Sequence, residues 1–446
     1  MQTYFTEIGH CVLNKANRPG VVAEIFLAKE TKLNFELYEL QIESLTQAED
    51  IGVGLRLLQD GRIGFSYSND LSPQGLDCLV ANAQTALKYA KPNPHADFPR
   101  PALSYPELSL IDRAISGTNL EQKVELLIQA ETAALELGGE MEKIETAGYI
   151  EQHSERMILN SQALTAYEES NGCGIYLSAL ARTKGKRSRG SSSLFRKRLH
   201  ELEAKKVGEE AGQRALRDLH AKFMPSGSTS CIFEPRIAAK FLGFLSGAFS
   251  LEQVQKGKSL LQNQMERSIA PAWFTLHDDS QDMRGTACTA FDGEGSPTQK
   301  TRLVYQGVLC SYLCDTVWGG AAGCPSTGNS YRSLYSSLPG IGINQLILSP
   351  GETKLQAMIS GIDDGLLVTE IMGMHTANVI TGEFSLGAAG IRIESGKLTH
   401  GVRGVTIACK LMDLLQNIEA VGDDLDFFGK IGAPSWMIRR ISVAGE

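Results

Sequence analysis

The sequence contains no apolar run approaching the roughly 18 residues that a transmembrane helix requires. Its first ten residues, MQTYFTEIGH, lack the basic stretch followed by an apolar one that marks a secretory signal peptide. Basic residues are too few for a general nucleic-acid binder, because 43 Lys and Arg stand against 51 Asp and Glu, for a net charge of -8. These absences predict a soluble, cytoplasmic protein that binds no membrane and is not expected to bind nucleic acid.

Paired cysteines are also missing. The chain has nine cysteines, an odd number without paired spacing, which is typical of reduced thiols in a cytosolic protein. Cys310 and Cys314, with Cys324 beyond, have the spacing of a metal cluster, but no histidine lies in that stretch. Because Tyr312 and Leu313 favour a hairpin strand, we expect buried core thiols there.

The common catalytic motifs are absent. No G-x-S-x-G occurs, which excludes the usual serine-hydrolase elbow. The Gly-Lys-Ser at 257–259 resembles the end of a phosphate-binding loop, but Glu252 stands where the first glycine must be. The His-Glu pair at 200–201 is followed by Ala204 and Lys205, so no second imidazole is available to a metal.

What is present predicts two or three domains in 446 residues, with the 42% apolar and 21% charged composition of a globular protein. We predict the α+β class. The expected parts are an N-terminal β-meander-plus-helix domain at 1–95, a Pro-rich linker at 96–118, a middle α/β domain at 119–228 and a large sheet-rich domain at 229–446.

Alternating apolar residues and turn signals predict the elements of the first two domains. Strands are predicted at 22–28, 35–40, 53–58 and 62–67, the last two joined by Asp60-Gly61. Ser72-Pro73 opens a helix that ends near Lys91. In the middle domain, strands are expected near 143–153 and 164–180 and a helix at 199–219. The run 184–198 has seven Lys or Arg and no acid; a solvated loop is favoured there over a DNA contact.

In the last domain, Pro235 begins a helix with a buried stripe of Ile237, Ala238, Phe241, Leu242, Leu245 and Ala248. The stretch 361–390 is punctuated by glycines. A hairpin is predicted at 303–309 and another at Ser395-Gly396, and a helix is predicted at 408–418 after a strand at 405–407.

Two groups of residues are candidates for binding. The small residues Gly387, Ala388 and Ala389 allow a strand or a ligand to approach closely, although a tightly packed sheet explains them as well. His375 and Asn378 lie where they could line a groove, although an ordinary loop histidine is the alternative. The second group is His277-Asp278-Asp279 with Asp292 and Glu294. Carboxylates on two loops could bind a cation or a peptide amino terminus, but capped turns are the commoner role.

The segments IDDGLLVTEIMG, TANVITGEFSLGAAGIRIESGKL, VRGVTIACKLMDLLQNIEAVGDDL and GAPSWMIRRISVAG resemble the TldD/PmbA family, and within it the PmbA (TldE) branch. GVGLRLLQDGRIGFSYSNDLSPQGL in the first domain is also similar, so the resemblance extends along nearly the whole chain. It implies a cytoplasmic peptide-processing system in which TldD-type chains carry a metallopeptidase centre and PmbA-type chains pair with them.

The chain departs from the metal-bearing members of this family. Their H-E-x-x-x-H helix falls here on Gly243, Phe244 and Ala248, none of which can bind a metal or accept a proton. Their cysteine ligand also has no counterpart between Asp424 and Pro434. The resemblance therefore implies no metal and no cofactor in this chain, and zinc or a similar divalent metal in a TldD-type partner.

The expected function is that of a non-catalytic, PmbA/TldE-like subunit of a metallopeptidase complex that acts on unfolded or peptide-like chains. Substrate contact is expected at His375, Asn378, Gly387, Ala388 and Ala389, and the sequence leaves open whether a homodimer forms when the partner is missing. Two alternatives stay open. One is a stand-alone peptidase with an unrecognised site, and the other is a non-enzymatic modulator of DNA gyrase, which the 184–198 run would serve.

Overall fold

Six long strands form an antiparallel sheet in the N-terminal half of the computed structural model, which describes residues 1–445. They are β1 (Val22–Tyr38), β2 (Gln41–Gln59), β3 (Arg62–Ser68), β4 (Met141–Asn160), β5 (Thr165–Thr183) and β6 (Lys186–Arg196). Their order is β3-β2-β1-β4-β5-β6, so the predicted first and middle domains share one sheet through the pairing of β1 with β4. The domain boundaries themselves stay a prediction.

Helices cover one face of this sheet. They are α1 (Gln2–Ala16), α2 (Pro73–Tyr89), α3 (Arg113–Gly117), α4 (Leu120–Leu135) and α5 (Ala204–Leu219). Side chains alternate along β1, so Ile25 and Leu27 join the core under α1 and α2, and Phe35 joins the core under α4 and α5. Glu24 and Phe26 lie on the opposite face, which the C-terminal half of the chain covers.

Two sequence predictions for this sheet are wrong, and one helix that packs on it was not predicted. The runs 22–28 and 35–40 are one strand, because the polar residues between them pair with β2 on one side and β4 on the other. The basic run 184–198 is mostly the edge strand β6 and not a loop, since it pairs with β5 along its length. Helix α1 was not predicted, although its buried residues Phe5, Val12 and Ala16 lie on one helical face.

The C-terminal half contains a closed barrel and a second sheet of shorter strands. Its strands are β7 (Gly227–Phe233), β8 (Leu276–Asp279), β9 (Lys300–Tyr305), β10 (Val308–Leu309), β11 (Ser330–Tyr331), β12 (Gly340–Ile341), β13 (Leu346–Leu348), β14 (Asp364–Met372), β15 (Glu383–Glu394), β16 (Lys397–Lys410), β17 (Ile418–Val421), β18 (Asp426–Phe428), β19 (Ile431–Ala433) and β20 (Trp436–Ala444). The barrel order is β16-β15-β14-β7-β20, closed by pairing of β20 with β16.

A second six-stranded sheet shares the core of the barrel. Its order is β10-β9-β8-β13-β19-β18, and the common core includes Phe233, Phe241 and Trp436. The helices of this half are α6 (Pro235–Ser246), α7 (Leu251–Gln255), α8 (Thr316–Ala322), α9 (Leu355–Ser360) and α10 (Leu411–Gln416). Helix α6 contacts β7 and β14 of the barrel and β18 and β19 of the second sheet, which places it between the two.

The predicted hairpin turns are confirmed. Asp60-Gly61 joins β2 to β3 with φ values of 49° and 72°, and Ser395-Gly396 joins β15 to β16 with 49° and 73°. The 303–309 hairpin is confirmed as β9 and β10. The helix predicted at 408–418 is shorter, because β16 continues to Lys410 and α10 spans only Leu411–Gln416.

A buried ion network joins the two halves. Arg56 of β2 donates to Glu24 of β1 (2.9 Å and 2.5 Å) and to Glu294 of the C-terminal half (3.0 Å), and Arg332 donates to Glu24 from the same side. All four side chains are buried. The overall arrangement confirms the α+β class. No helix in the described part of the chain is long and apolar enough to cross a membrane.

Candidate functional site

Helix α6 presents one face to the core and the other to an open groove. Its core face repeats every three or four residues and consists of Ile237, Ala238, Phe241, Leu242 and Leu245, as predicted. Its groove face has the same period and consists of Arg236, Ala239, Lys240 and Gly243. The groove face was not predicted from the sequence, although Arg236 and Lys240, two cations four residues apart on an apolar helix, indicate it.

The groove has a volume of about 820 Å³. Its walls are α6, α5, the edge strand β6 and the hairpin of β18 and β19. Arg196 of β6 pairs with Asp426 of β18 at 3.1 Å, and the guanidinium carbon of Arg236 lies 5.3 Å from the centroid of the Phe428 ring. These contacts fix the position of the hairpin relative to the sheet.

Charged side chains along the groove have structural partners. Arg214 of α5 lies between Glu210 and Glu234, with nitrogen–oxygen distances of 3.6 Å and 3.8 Å. Burial raises the pKa of Glu234, and Arg214 opposes that rise. Burial lowers the pKa of Lys240, whose Nζ donates to the carbonyl oxygen of Ile371 at 3.2 Å. Arg214, Glu234 and Lys240 therefore each have a contact within the protein, although Oε1 of Glu234 accepts no hydrogen bond.

The residues at the inferred metal-ligand positions do not fit a metal. Gly243 has no side-chain donor, and a Cβ atom added there would lie 3.1 Å from Cδ1 of Ile431. Phe244 and Ile431 both pack against the C-terminal core. Ala248 was predicted to lie on the helix, but α6 ends at Ser246 and Ala248 is buried in the 3₁₀ turn that follows.

The closing segment offers no replacement ligand. Asp424 accepts hydrogen bonds from the backbone N–H (2.8 Å) and the hydroxyl (2.6 Å) of Ser435, and Asp426 is paired with Arg196. Within residues 1–445, no three His, Cys, Asp or Glu side chains are grouped so that they could hold a metal ion. The groove therefore lies beside Gly243 of α6, and its described residues include no group that could hold a metal ion.

The edge strand β6 forms one rim of the groove. The carbonyl oxygen of Ser191 accepts from Arg214 at 2.6 Å, and that of Ser193 accepts from Arg236 at 3.1 Å. No other strand of the described chain pairs with β6 besides β5. Free backbone groups at a sheet edge can pair with an extended peptide, and here arginine side chains occupy two of them.

None of the five residues predicted to contact substrate lines the groove. His375 is exposed in a 3₁₀ turn, and Asn378 caps its own turn by accepting from two backbone N–H groups that follow it. Gly387 is half-buried, and Ala388 and Ala389 are buried in β15 between β14 and β16. Their role in substrate binding stays a prediction, and in the isolated chain both alanines lie inside the barrel wall.

The acidic group at 277–279 and 292–294 is buried. His277, Asp278 and Asp279 form strand β8, so their prediction as a loop is wrong. Asp292 caps its own turn, with Oδ1 accepting from the N–H of Glu294 at 2.9 Å. Burial raises the pKa of Asp278 to about 6 and of Asp292 to about 7, and burial lowers that of His277 to about 4.

The cysteine prediction is only partly right. Cys314 is buried as expected, but Cys310 and Cys324 are exposed, because they lie after a strand and after a helix instead of inside a hairpin strand. All nine cysteines are free thiols.

Comparison with known proteins relates this architecture to one family. Three family models match consecutive parts of the chain: PmbA/TldA metallopeptidase domain 1 at residues 23–87, the central domain at 114–219 and the C-terminal domain at 226–445. The chain belongs to the PmbA/TldD family. A family member named metalloprotease PmbA, from Escherichia coli O157:H7, is 26% identical over 95% of this chain and 92% of its own length. A metalloprotease TldD homolog from Buchnera aphidicola is 23% identical over 89% and 87%.

Solved structures of similar proteins extend the PmbA/TldD likeness to the fold. A proposed modulator of a DNA gyrase from Thermotoga maritima superposes with a TM-score of 0.91 at 25% identity, covering 99% of this chain and 100% of the other. TldE from Thermococcus kodakarensis gives a TM-score of 0.87 at 22% identity, with 100% of both chains covered. The latter likeness concerns the fold alone.

Proposed function

We propose that this PmbA/TldD family chain is a PmbA/TldE-like subunit of a metallopeptidase complex. In the proposal a TldD-type partner carries zinc or a similar divalent metal, and the metal supplies an activated water for peptide hydrolysis. The complex acts in the cytoplasm on unfolded or peptide-like chains, in proteolysis or peptide maturation. Without its partner, the chain forms a homodimer.

The observation that carries this proposal is the packing of Gly243 against Ile431 beside an open groove. In this proposal Gly243, Phe244 and Ala248 stand at the family's metal-ligand and general-base positions, and none of them has a side-chain atom that could bind a metal or accept a proton. A chain that retains a groove of about 820 Å³ at that helix still has a surface to offer a peptide. This combination favours a binding role over a catalytic one.

The groove suits an extended peptide because β6 runs along its rim. Ser191 and Ser193 are already hydrogen-bonded to arginine side chains through their carbonyl oxygens, so a peptide strand would replace Arg214 and Arg236 there. The displaced guanidinium groups would then be free to pair with carbonyl or carboxylate oxygens of the peptide. In this proposal the subunit positions substrate for its partner's metal centre.

The test uses this chain, a TldD-type chain that carries H-E-x-x-x-H, and a mixture of the two. We expect co-elution from a gel-filtration column and cleavage of an unstructured fluorogenic peptide only, or mainly, by the mixture. Full cleavage by the partner alone without co-elution would contradict the proposal. Cleavage by this chain alone at the rate of the mixture would support the stand-alone peptidase instead.

A matched pair of variants tests the groove itself. Ser193→Trp places a large side chain at an exposed strand position that lines the groove, and we expect at least a tenfold loss of kcat/KM in the mixture with co-elution retained. Ser44→Trp makes the same change at an exposed position of β2 outside the groove, and we expect no loss. Equal kcat/KM of the two variants would show that the groove does not bind the substrate.

A further inference from the structure

A second cavity, separate from the groove, lies between the helix-free face of the N-terminal sheet and the C-terminal half. Its volume is about 290 Å³. Residues of β1, β4 and β5 form one wall, and the segments 286–293 and 330–335 form the other. Since a water molecule needs only about 10–15 Å³ of such space, the cavity is large enough for a small organic ion.

Lys197 lines this cavity and has no partner. It follows β6, its residue is only 6% exposed, and within the described chain it makes no salt bridge and no hydrogen bond. Glu168 is the carboxylate whose charge raises the pKa of Lys197. It already pairs with Arg156 (3.0 Å) and accepts hydrogen bonds from Thr289 Oγ1 (2.9 Å) and from the N–H of Ala290 (2.7 Å). Burial lowers the pKa of Lys197, and Cys288 and Glu168 oppose that effect.

Lys430 is a second ammonium group on the same cavity. It lies in the turn between β18 and β19, with Nζ 3.7 Å from the centroid of the Tyr331 ring, and makes no salt bridge among residues 1–445. Its neighbouring carboxylate, Asp278, accepts instead from Asn329 (2.6 Å) and from the backbone N–H of Gln345 (2.9 Å). Burial lowers the pKa of Lys430 to about 8, with Asp278 opposing that effect and Arg156 adding to it.

Other donors on the cavity wall also lack partners. The hydroxyl of Ser330 and two guanidinium nitrogens of Arg332, Nε and Nη1, are buried without a hydrogen bond. Buried polar groups are normally satisfied, so several orphaned donors around one cavity indicate a missing acceptor.

The acids on the wall, by contrast, are occupied. Glu30 pairs with Lys32 (2.6 Å), Asp50 accepts from the Tyr335 hydroxyl (2.8 Å), and Asp292 accepts from three backbone N–H groups. The unsatisfied groups of the cavity named above can thus all donate, and three of them, on Lys197, Lys430 and Arg332, are cationic.

We propose that this cavity is a binding site for a small oxyanion, a carboxylate or a phosphate, held between Lys197 and Lys430. Such an anion would replace the water that the two ammonium groups lost on burial, and its several oxygens would match the several donors around it. The site is independent of the groove at α6, so its failure would leave the proposed function unaffected.

The test is calorimetric titration of the whole chain with inorganic phosphate, with glutarate, and with a short acetylated peptide carrying either a free carboxyl terminus or an amide. Chloride at equal ionic strength serves as the reference. We expect saturable binding of at least one oxyanion. Preference for phosphate identifies a phosphate site, and binding of the free peptide but not the amide identifies a peptide carboxylate.

Lys197→Met and Lys430→Met remove the charges while keeping the side-chain length, and we expect each to weaken binding at least tenfold. Because Lys197 is buried without a partner, its replacement should leave the thermal midpoint equal or higher, which separates lost binding from lost folding. Lys258→Met, at an exposed position outside the cavity, is the control and should bind like the wild type. No saturable binding by the wild type, or equal binding by all four proteins, overturns the proposal.

Discussion

Gly243 of α6 lies against Ile431 of β19, so closely that a Cβ atom at position 243 would be 3.1 Å from Cδ1 of the isoleucine. The side chain of Ile431 thus fills the position at which the resemblance to metal-bearing relatives requires an imidazole. The departure from the H-E-x-x-x-H motif therefore coincides with packing of the core, because Ile431 and Phe244 pack against the same apolar cluster.

The first prediction concerns metal. We expect no stoichiometric zinc in the purified chain, and none in the triple variant Gly243→His, Phe244→Glu, Ala248→His. The variant restores the ligand types, but Ala248 lies beyond the end of α6 and no cysteine occurs between 424 and 434. Elemental analysis after gel filtration in chelator-free buffer measures the metal.

A TldD-type chain with H-E-x-x-x-H is the positive control for that measurement. One tightly held zinc in the wild type would contradict the proposed function. Zinc in the triple variant alone would show that the core around Ile431 rearranges more easily than its packing indicates.

The second prediction concerns the buried network between the two halves. Arg56→Ala leaves the carboxylates of Glu24 and Glu294 buried with one cation fewer, and we expect a loss of about 3–5 kcal/mol in the free energy of unfolding. Lys256→Ala removes the exposed pair with Glu252 and should cost no more than about 1 kcal/mol. Urea unfolding followed by fluorescence compares the two. Similar midpoints would show that the network contributes little.

The third prediction concerns pH. Burial, assisted by Glu294, raises the pKa of Asp315 to about 6 in the folded chain from an ordinary value of 3.8. Between those values the folded state binds a proton that the unfolded state has released, so this group favours folding as the pH falls from about 6 to about 4. Asp278 and Asp292, whose pKa values are also raised, act in the same direction. The pKa of Glu24 is lowered, so the stability that Glu24 contributes is lost only as the pH falls below its ordinary pKa of 4.5.

Asp315→Asn should therefore flatten the rise in stability between pH 6 and pH 4.5, since each unit of pKa shift corresponds to about 1.4 kcal/mol. The asparagine oxygen can still accept the N–H of Trp318, which Asp315 accepts at 2.8 Å, so the cap of α8 is kept. Thermal midpoints across this range measure the slope. Asp363→Asn, at an exposed position, is the control, and a slope equal to that of the control variant would exclude Asp315 as a contributor.

The fourth prediction concerns nucleic acid. We expect no specific duplex binding at about 150 mM salt, because the net charge is -8 and the arginines of β6 are paired with acids of the same chain. Arg187 lies 2.7 Å from Glu142, and Arg189 lies 2.8 Å from Glu145. Fluorescence anisotropy with labelled DNA measures binding.

The comparison protein carries Arg187, Arg189, Arg196 and Arg198 changed to Ala. Submicromolar binding by the wild type that disappears in this variant would support the DNA-gyrase modulator. Binding that survives the change would place any nucleic-acid contact elsewhere.

Turns and helix caps could be predicted from the sequence because they depend on interactions between residues a few positions apart. The turns at Asp60-Gly61 and Ser395-Gly396 need positive φ angles, which glycine tolerates, and the sequence predicted both. Ser72 accepts the N–H of Gly75 at the start of α2, as its position before Pro73 indicated. The α+β class followed from the same local patterns.

Other features were decided by residues far apart in the chain. The polar middle of β1 is a strand only because β2 and β4 supply hydrogen bonds on both sides, and β6 is ordered by β5 and by acids of β4. The sequence by itself determined the turns, the helix starts and the absence of ligands at Gly243, Phe244 and Ala248. The tertiary structure decided that Ile431 fills that position and that Lys197 of the basic run is buried on a cavity, because burial and charge pairing depend on segments that meet only in the folded chain.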